Sequence, residues 1–216
     1  MLILVAGLVL FLGVHSARIV AEPTRQRFIA ARGVNAWKGL HAIASLIGFV
    51  MIIVGYRAAP DIWLWFPPAW LRHVTLLLMA VAFVLLAASY VPGNRVKAAV
   101  GHPMVIGVKV WAFAHLLANG ALASVVLFGA FLVWAIADLA AARRRDRRST
   151  GAHGTSEVDV PGHGSAADGM AAGAVAAGGL GATIATVGLG LVAWIVFAGW
   201  LHRALIGVSP IAVGGG

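Results

Sequence analysis

Residues 103–148 read PMVIGVKVWAFAHLLANGALASVVLFGAFLVWAIADLAAARRRDRR, and their reading decides the fold. Two apolar runs, Pro103–Ala118 and Ala121–Ala142, flank Asn119-Gly120, a dipeptide that marks tight turns. A hydrocarbon core about 30 Å thick takes about 20 residues of helix, so the stretch reads as a helical hairpin in a bilayer. It ends on Arg143, Arg144, Arg145, Arg147 and Arg148, and such a basic cluster stays on the cytoplasmic side.

Working outward, four more apolar runs have the same character: Leu2–Ala21, Trp37–Arg57, Trp70–Val91 and Ala182–Ile206. The chain of 216 residues is 61% hydrophobic and 11% charged, roughly half the charge fraction of a soluble domain. The expected class is all-α: a polytopic membrane helical bundle of about six transmembrane helices. Placing the N-terminus outside puts 13 of the 16 Lys and Arg residues in inward loops, so both termini are expected outside. The first run has no positive residue before it and Arg18, Arg25, Arg27 and Arg32 after it, so it is read as a retained anchor rather than a cleaved signal. The expected protein is integral to a bacterial inner membrane.

Residues 1–142 thus form a five-helix membrane region, 143–181 a basic and then Gly/Ala-rich cytoplasmic linker, and 182–216 the last span and tail. Two histidines in the linker, His153 and His163, are read as solvated rather than as a metal-binding tail. The net charge of +9 lies in loops and follows the positive-inside pattern, so no nucleic-acid partner is expected. Pro60, Pro67 and Pro68 among Trp63, Trp65 and Trp70 read as an aromatic anchor at the outer interface. The absence of cysteine excludes disulfides, thiolate haem ligation, iron–sulfur clusters and thiol catalysis.

Six of the eight histidines, His15, His41, His73, His102, His115 and His202, lie in or at the ends of the apolar runs. An ionisable side chain in a bilayer is costly and normally has a partner or a task, and imidazole is a common ligand of metals and haem iron. His15 shares a helix face with Arg18 and Glu22, and His41 with Lys38, Ser45 and Gly48. His102 precedes Pro103, which suits the first turn of a helix, so capping or interface duty competes with ligation there. His115 lies about 20 Å further along the helix axis, with Trp111 one turn before it and Asn119 one turn after. It is the most pointed candidate, whereas His73 beside Arg72 and His202 beside Arg203 read as interfacial.

The residues Gly101-His102-Pro103, Trp111-Ala112-Phe113-Ala114-His115-Leu116-Leu117-Ala118-Asn119-Gly120, Leu127-Phe128-Gly129 and Trp134 resemble the NnrU family. So do Gly13-Val14-His15-Ser16-Ala17-Arg18 and Trp37-Lys38-Gly39-Leu40-His41, with a weaker echo in Gly207-Val208-Ser209-Pro210. The resemblance implies a membrane protein associated with denitrification, linked to nitrite and nitric oxide reduction. The family is similar to the plant 15-cis-zeta-carotene isomerase, a membrane enzyme that binds haem b through histidines. By that resemblance His115 is an axial ligand with His15 as its partner, while His41 and His102 are nearby polar groups or alternative ligands. In an untilted bundle His15 and His115 differ by about 10 Å in depth, which leaves His202 or His73 as the alternative partner.

Three functions follow as expectations. One is a haem b protein that acts on a lipid-soluble substrate in the manner of an isomerase, or handles nitric oxide. A second is a non-catalytic assembly or maturation factor that contacts respiratory reductase subunits. The third, a proton or small-molecule transporter, lacks the inverted repeat and broken-helix pair common in such proteins. Of the seven acidic residues only Asp138 lies inside an expected span, which leaves no carboxylate pair for acid–base catalysis.

Overall fold

In lipid every backbone N–H and C=O must be satisfied within the protein, which leaves helices as the natural form of these apolar runs. The computed structural model describes residues 1–154, 179–208 and 210–211; the rest of the expected linker, with His163, lies outside them. Ten α-helices are found among the described residues. They are α1 (Leu2–His15), α2 (Ala17–Val20), α3 (Glu22–Arg32), α4 (Val34–Arg57), α5 (Leu71–Tyr90), α6 (Arg95–Val100), α7 (Pro103–Ala118), α8 (Leu122–Gly154), α9 (Leu180–Val196) and α10 (His202–Ile206), with a π-helical turn at Phe197–Leu201 joining the last two. The protein is a helical membrane bundle.

Four helical stretches are long and apolar enough to cross a membrane: Val34–Arg57, Leu71–Tyr90, Leu122–Ser149 and Leu180–Ile206. The remaining two apolar helices, α1 and α7, have 14 and 16 residues, about 21 and 24 Å at 1.5 Å per residue. α1 ends at His15; the Ser16 backbone stays in the right-handed helical region (φ −81°, ψ −6°), and α2 carries the run on to Val20. Pro23 then sits in the first turn of α3, where its missing N–H costs nothing. In α3 the Glu22 carboxyl is held below the usual carboxylate range, first by a hydrogen bond from Gln26 and then by the charge of Arg25, 2.9 Å away. At the other end of α8 the arginine run continues the helix past the apolar segment.

In space the long helices follow the order α4, α1, α8, α7, α5, α9. The α1–α4 pair is tight because glycines remove the side chains between the two backbones. A Cβ on Gly48 would lie 2.9 Å from the Phe11 amide nitrogen, and one on Gly55 would overlap the Leu4 backbone. Close approach through small residues is the usual way helices gain packing energy in lipid. Leu4, Leu8, Ile52 and Ala123 form the buried cluster where α1, α4 and α8 meet. The large apolar side chains on the outer face of α4, such as Ile43, Leu46 and Ile47, remain exposed, as a lipid-facing surface should be.

Polar bonds stitch neighbouring helices. Tyr56 and Ser124 hydroxyls lie 2.8 Å apart between α4 and α8, and Thr75 donates to the Ala114 carbonyl at 3.0 Å between α5 and α7. The Trp/Pro-rich segment after α4 does more than anchor an interface: it pairs with the α7–α8 turn. Leu64 N–H donates to the Gly120 carbonyl at 2.9 Å, and Leu122 N–H donates to the Ile62 carbonyl at 2.7 Å. Any Cβ on Gly120 would overlap the Trp65 carbonyl oxygen. Gly120→Val should therefore lower detergent-state stability by roughly 1–3 kcal/mol, read as a drop in thermal unfolding temperature, whereas Gly129→Ala, where a Cβ meets open space, should leave it within about 0.5 kcal/mol.

Candidate functional site

His15 ends α1, and its ring is fixed by its own helix. Nδ1 lies 2.7 Å from the Phe11 carbonyl and the ring stacks on Phe11 at 4.3 Å. A carbonyl only accepts, so Nδ1 carries the proton and the Nε2 lone pair is free. Facing it from α4 is His41, with ring centroids 4.9 Å apart in an edge-on arrangement. From α8, Trp134 meets His15 edge-on at 6.2 Å and donates its Nε1–H to Ser16 Oγ at 3.1 Å. Ser16 in turn donates to the Leu12 carbonyl at 2.7 Å. Trp37 lies one turn before His41, and Phe28 of α3 packs on Trp37 at 5.7 Å. This first cluster therefore sits at the basic end of the bundle, where α1, α4 and α8 converge under α3.

His115 belongs to a second cluster. Its Nδ1–H donates to the Trp111 carbonyl at 2.9 Å, and its ring stacks on Phe128 of α8 at 4.5 Å. Trp111 lies beside it at 5.2 Å, in contact with Phe128 on the same side, and is edge-on to Phe128 and Phe131. Asn119 caps this end of α7 by donating to the His115 carbonyl at 2.8 Å. His202 opens α10. The π-helical turn precedes it, Phe197 packs on it at 5.8 Å, and its Nδ1–H donates to the Val208 carbonyl at 2.6 Å. Read from the sequence as interfacial or as an alternative partner of His115, His202 makes no ring contact or hydrogen bond with His115 among the described residues.

The two clusters lie at different depths. Trp134 marks the level of His15 on α8 and Phe128 the level of His115, a separation of about 9 Å along the helix. Phe11, Phe131 and Trp111 stand between them, with centroid steps of 5.8 and 5.3 Å. The structure brings His15 to His41 and leaves His115 outside that contact.

His102 is engaged elsewhere. It is the N-cap residue of α7 but makes no side-chain cap; its Nε2 lies 2.7 Å from Asp146 Oδ2. That pair ties α7 to the arginine-bearing end of α8, and the lone acid inside the run 143–148 was the signal for it. His73 is exposed at the start of α5.

An axial haem ligand is a neutral imidazole that offers one nitrogen while the other donates to a fixed acceptor. His15, His115 and His202 have that arrangement. His102 has its Nε2 on Asp146, so it fits poorly. Among the described residues no group of three or more His, Cys, Asp or Glu side chains converges as a metal centre.

The Trp134–Ser16 bond joins α8 to α1 beside His15. In a double-mutant cycle of Trp134→Phe and Ser16→Ala, the coupling energy from thermal or denaturant unfolding should be roughly 1 kcal/mol; additive losses would mean the bond contributes nothing.

The sequence pattern of the NnrU protein family matches residues 3–210. The chain belongs to the NnrU family. No curated relative and no solved structure matches it.

Proposed function

We propose that the protein serves nitrite and nitric oxide reduction in a bacterial inner membrane and holds haem b through its membrane histidines, with His115 as the principal axial ligand. The observation that carries this reading is the His115 ring: packed against the touching pair Trp111 and Phe128, its tautomer fixed by the Trp111 carbonyl, its Nε2 free. Family membership supports the denitrification setting. Bound haem supplies an iron centre able to take a diatomic ligand or to act on a polyene.

The chain's own contribution is orientation and exclusion of water. Trp111 and Phe128 restrict the imidazole to one plane, and the Trp111 carbonyl raises its basicity through the Nδ1–H bond. The apolar helix faces open to the bilayer give a lipid-soluble substrate or nitric oxide a route that does not cross water. An isomerase-like activity on such a substrate fits this arrangement. His15, the partner that the family resemblance implies, is held against His41, so in this reading any further ligand to the iron would come from another histidine or from an exogenous molecule.

A second reading is a non-catalytic assembly or maturation factor for a membrane reductase. It is favoured by Gly181 and Gly188 of α9, where a Cβ would meet nothing: small residues on an uncovered helix suit a partner helix.

The detergent-purified protein should show a Soret band and reduced α/β bands of haem b. His115→Ala should remove at least about nine-tenths of the bound haem, while His102→Ala should retain it. A protein that purifies colourless and takes up no added haem would reject the haem reading in favour of the assembly factor.

A further inference from the structure

The contact between α1 and α4 places two imidazoles together with a hydroxyl that has no partner. His15 and His41 face each other with centroids 4.9 Å apart. Among the described residues, His41 has no hydrogen-bond partner on either ring nitrogen, and His15 offers Nε2 because Nδ1–H is on the Phe11 carbonyl. Ser45 lies one turn beyond His41 on the same face of α4. Its Oγ is buried and unpaired. The helices are antiparallel, with Gly48 opposite Phe11 and Gly55 opposite Leu4, and this register puts Ser45 level with Val14 and His15.

The unpaired hydroxyl is the telling feature. The other small hydroxyls of the spans are satisfied: Ser16 donates to Leu12, Ser89 to Leu85 and Thr186 to Ala182, each four residues back. Ser45 could do the same with the His41 carbonyl and does not. An unsatisfied polar group in lipid costs free energy, so Ser45 points to a polar occupant beside the two histidines.

We infer that His15 and His41 form a binding site for a divalent late transition-metal ion, distinct from the His115 site, with Ser45 bonding to a water on that ion. Two imidazoles on one ion at metal–nitrogen distances of about 2.0–2.1 Å have ring centroids roughly 5 Å apart when the angle at the metal is near tetrahedral. A porphyrin between the rings would need them further apart and on opposite sides. Imidazole nitrogen selects copper, nickel or zinc over the alkaline earths. The Phe11 carbonyl orients His15 as outer partners do for metal-bound histidine. With only two protein nitrogens, the other coordination positions belong to water or a small ligand. The inference does not rest on haem binding.

The test uses the full chain carrying a tag without histidine, in a His153→Ala/His163→Ala background, stripped with chelator in detergent and titrated with Cu²⁺. Electron paramagnetic resonance and elemental analysis read the result. One equivalent should bind, with superhyperfine splitting from two nitrogens. His15→Gln or His41→Gln should abolish stoichiometric binding, Ser45→Ala should weaken it roughly tenfold, and His115→Gln should leave it unchanged. No stoichiometric binding by the parent chain, or binding kept by the His15→Gln/His41→Gln double variant, overturns the inference. If the glutamine variants do not purify as monodisperse protein, the nitrogen count of the parent decides: two supports the site, and one or none overturns it. The haem reading is scored separately, from the Soret band.

Discussion

Lipid offers no hydrogen-bond partner, and the rest of the structure depends on that constraint. It turns each apolar run into a helix and sends most of the hydroxyls within the spans to a partner inside the protein. Some bond back onto their own helix, as Ser89 and Thr186 do. Others bridge helices, as Tyr56 does with Ser124 and Trp134 with Ser16. The buried exceptions within the spans, among the described residues, are Ser45 Oγ and Trp194 Nε1. Ser45 lies one turn from His41 and level with His15, two histidines with free nitrogens.

The same constraint divides the histidines by task. His102 is at the basic end, where water is close, and it pairs with a carboxylate there. His15 and His115 are deeper. Each gives its Nδ1–H to the carbonyl four residues back, which satisfies one nitrogen at no cost to the helix and leaves the other for a ligand. The glycines of α4 let α1 approach closely enough for His15 to meet His41, while the aromatic wedge of Phe11, Phe131 and Trp111 holds the His115 site apart. Packing between helices, more than position along them, decides which histidines act together.

Much of this was legible in the sequence. The six apolar runs became six apolar helical regions, and Asn119-Gly120 turned the α7–α8 hairpin. Pro103 opened α7 with His102 at its N-cap. Other features were not legible, for physical reasons. Hydropathy carried the first run to Ala21 without showing the one-residue break at Ser16 that divides it into α1 and α2. Residues 59–70 looked like an interface anchor because composition does not reveal that Ile62 and Leu64 form backbone bonds to the residues around Gly120. Helical periodicity put His41 and Ser45 on one face, yet it cannot say which helix that face meets. The expected pairing of His15 with His115 came from family resemblance; their positions along the runs already set them at different depths, and their contacts with Trp134 and Phe128 of α8 make that offset about 9 Å.

The chain has no cysteine, so paired cysteines can be introduced without background. The central claim is that His15 belongs with His41 and not with His115. The decisive measurement is cross-linking of His15→Cys/His41→Cys and His15→Cys/His115→Cys proteins in membranes with a short bifunctional thiol reagent, followed by proteolysis between the two sites and gel analysis. The structure predicts that the first pair is joined and the second is not. Efficient joining of 15 to 115, with none between 15 and 41, would contradict the division of the histidines into two sites.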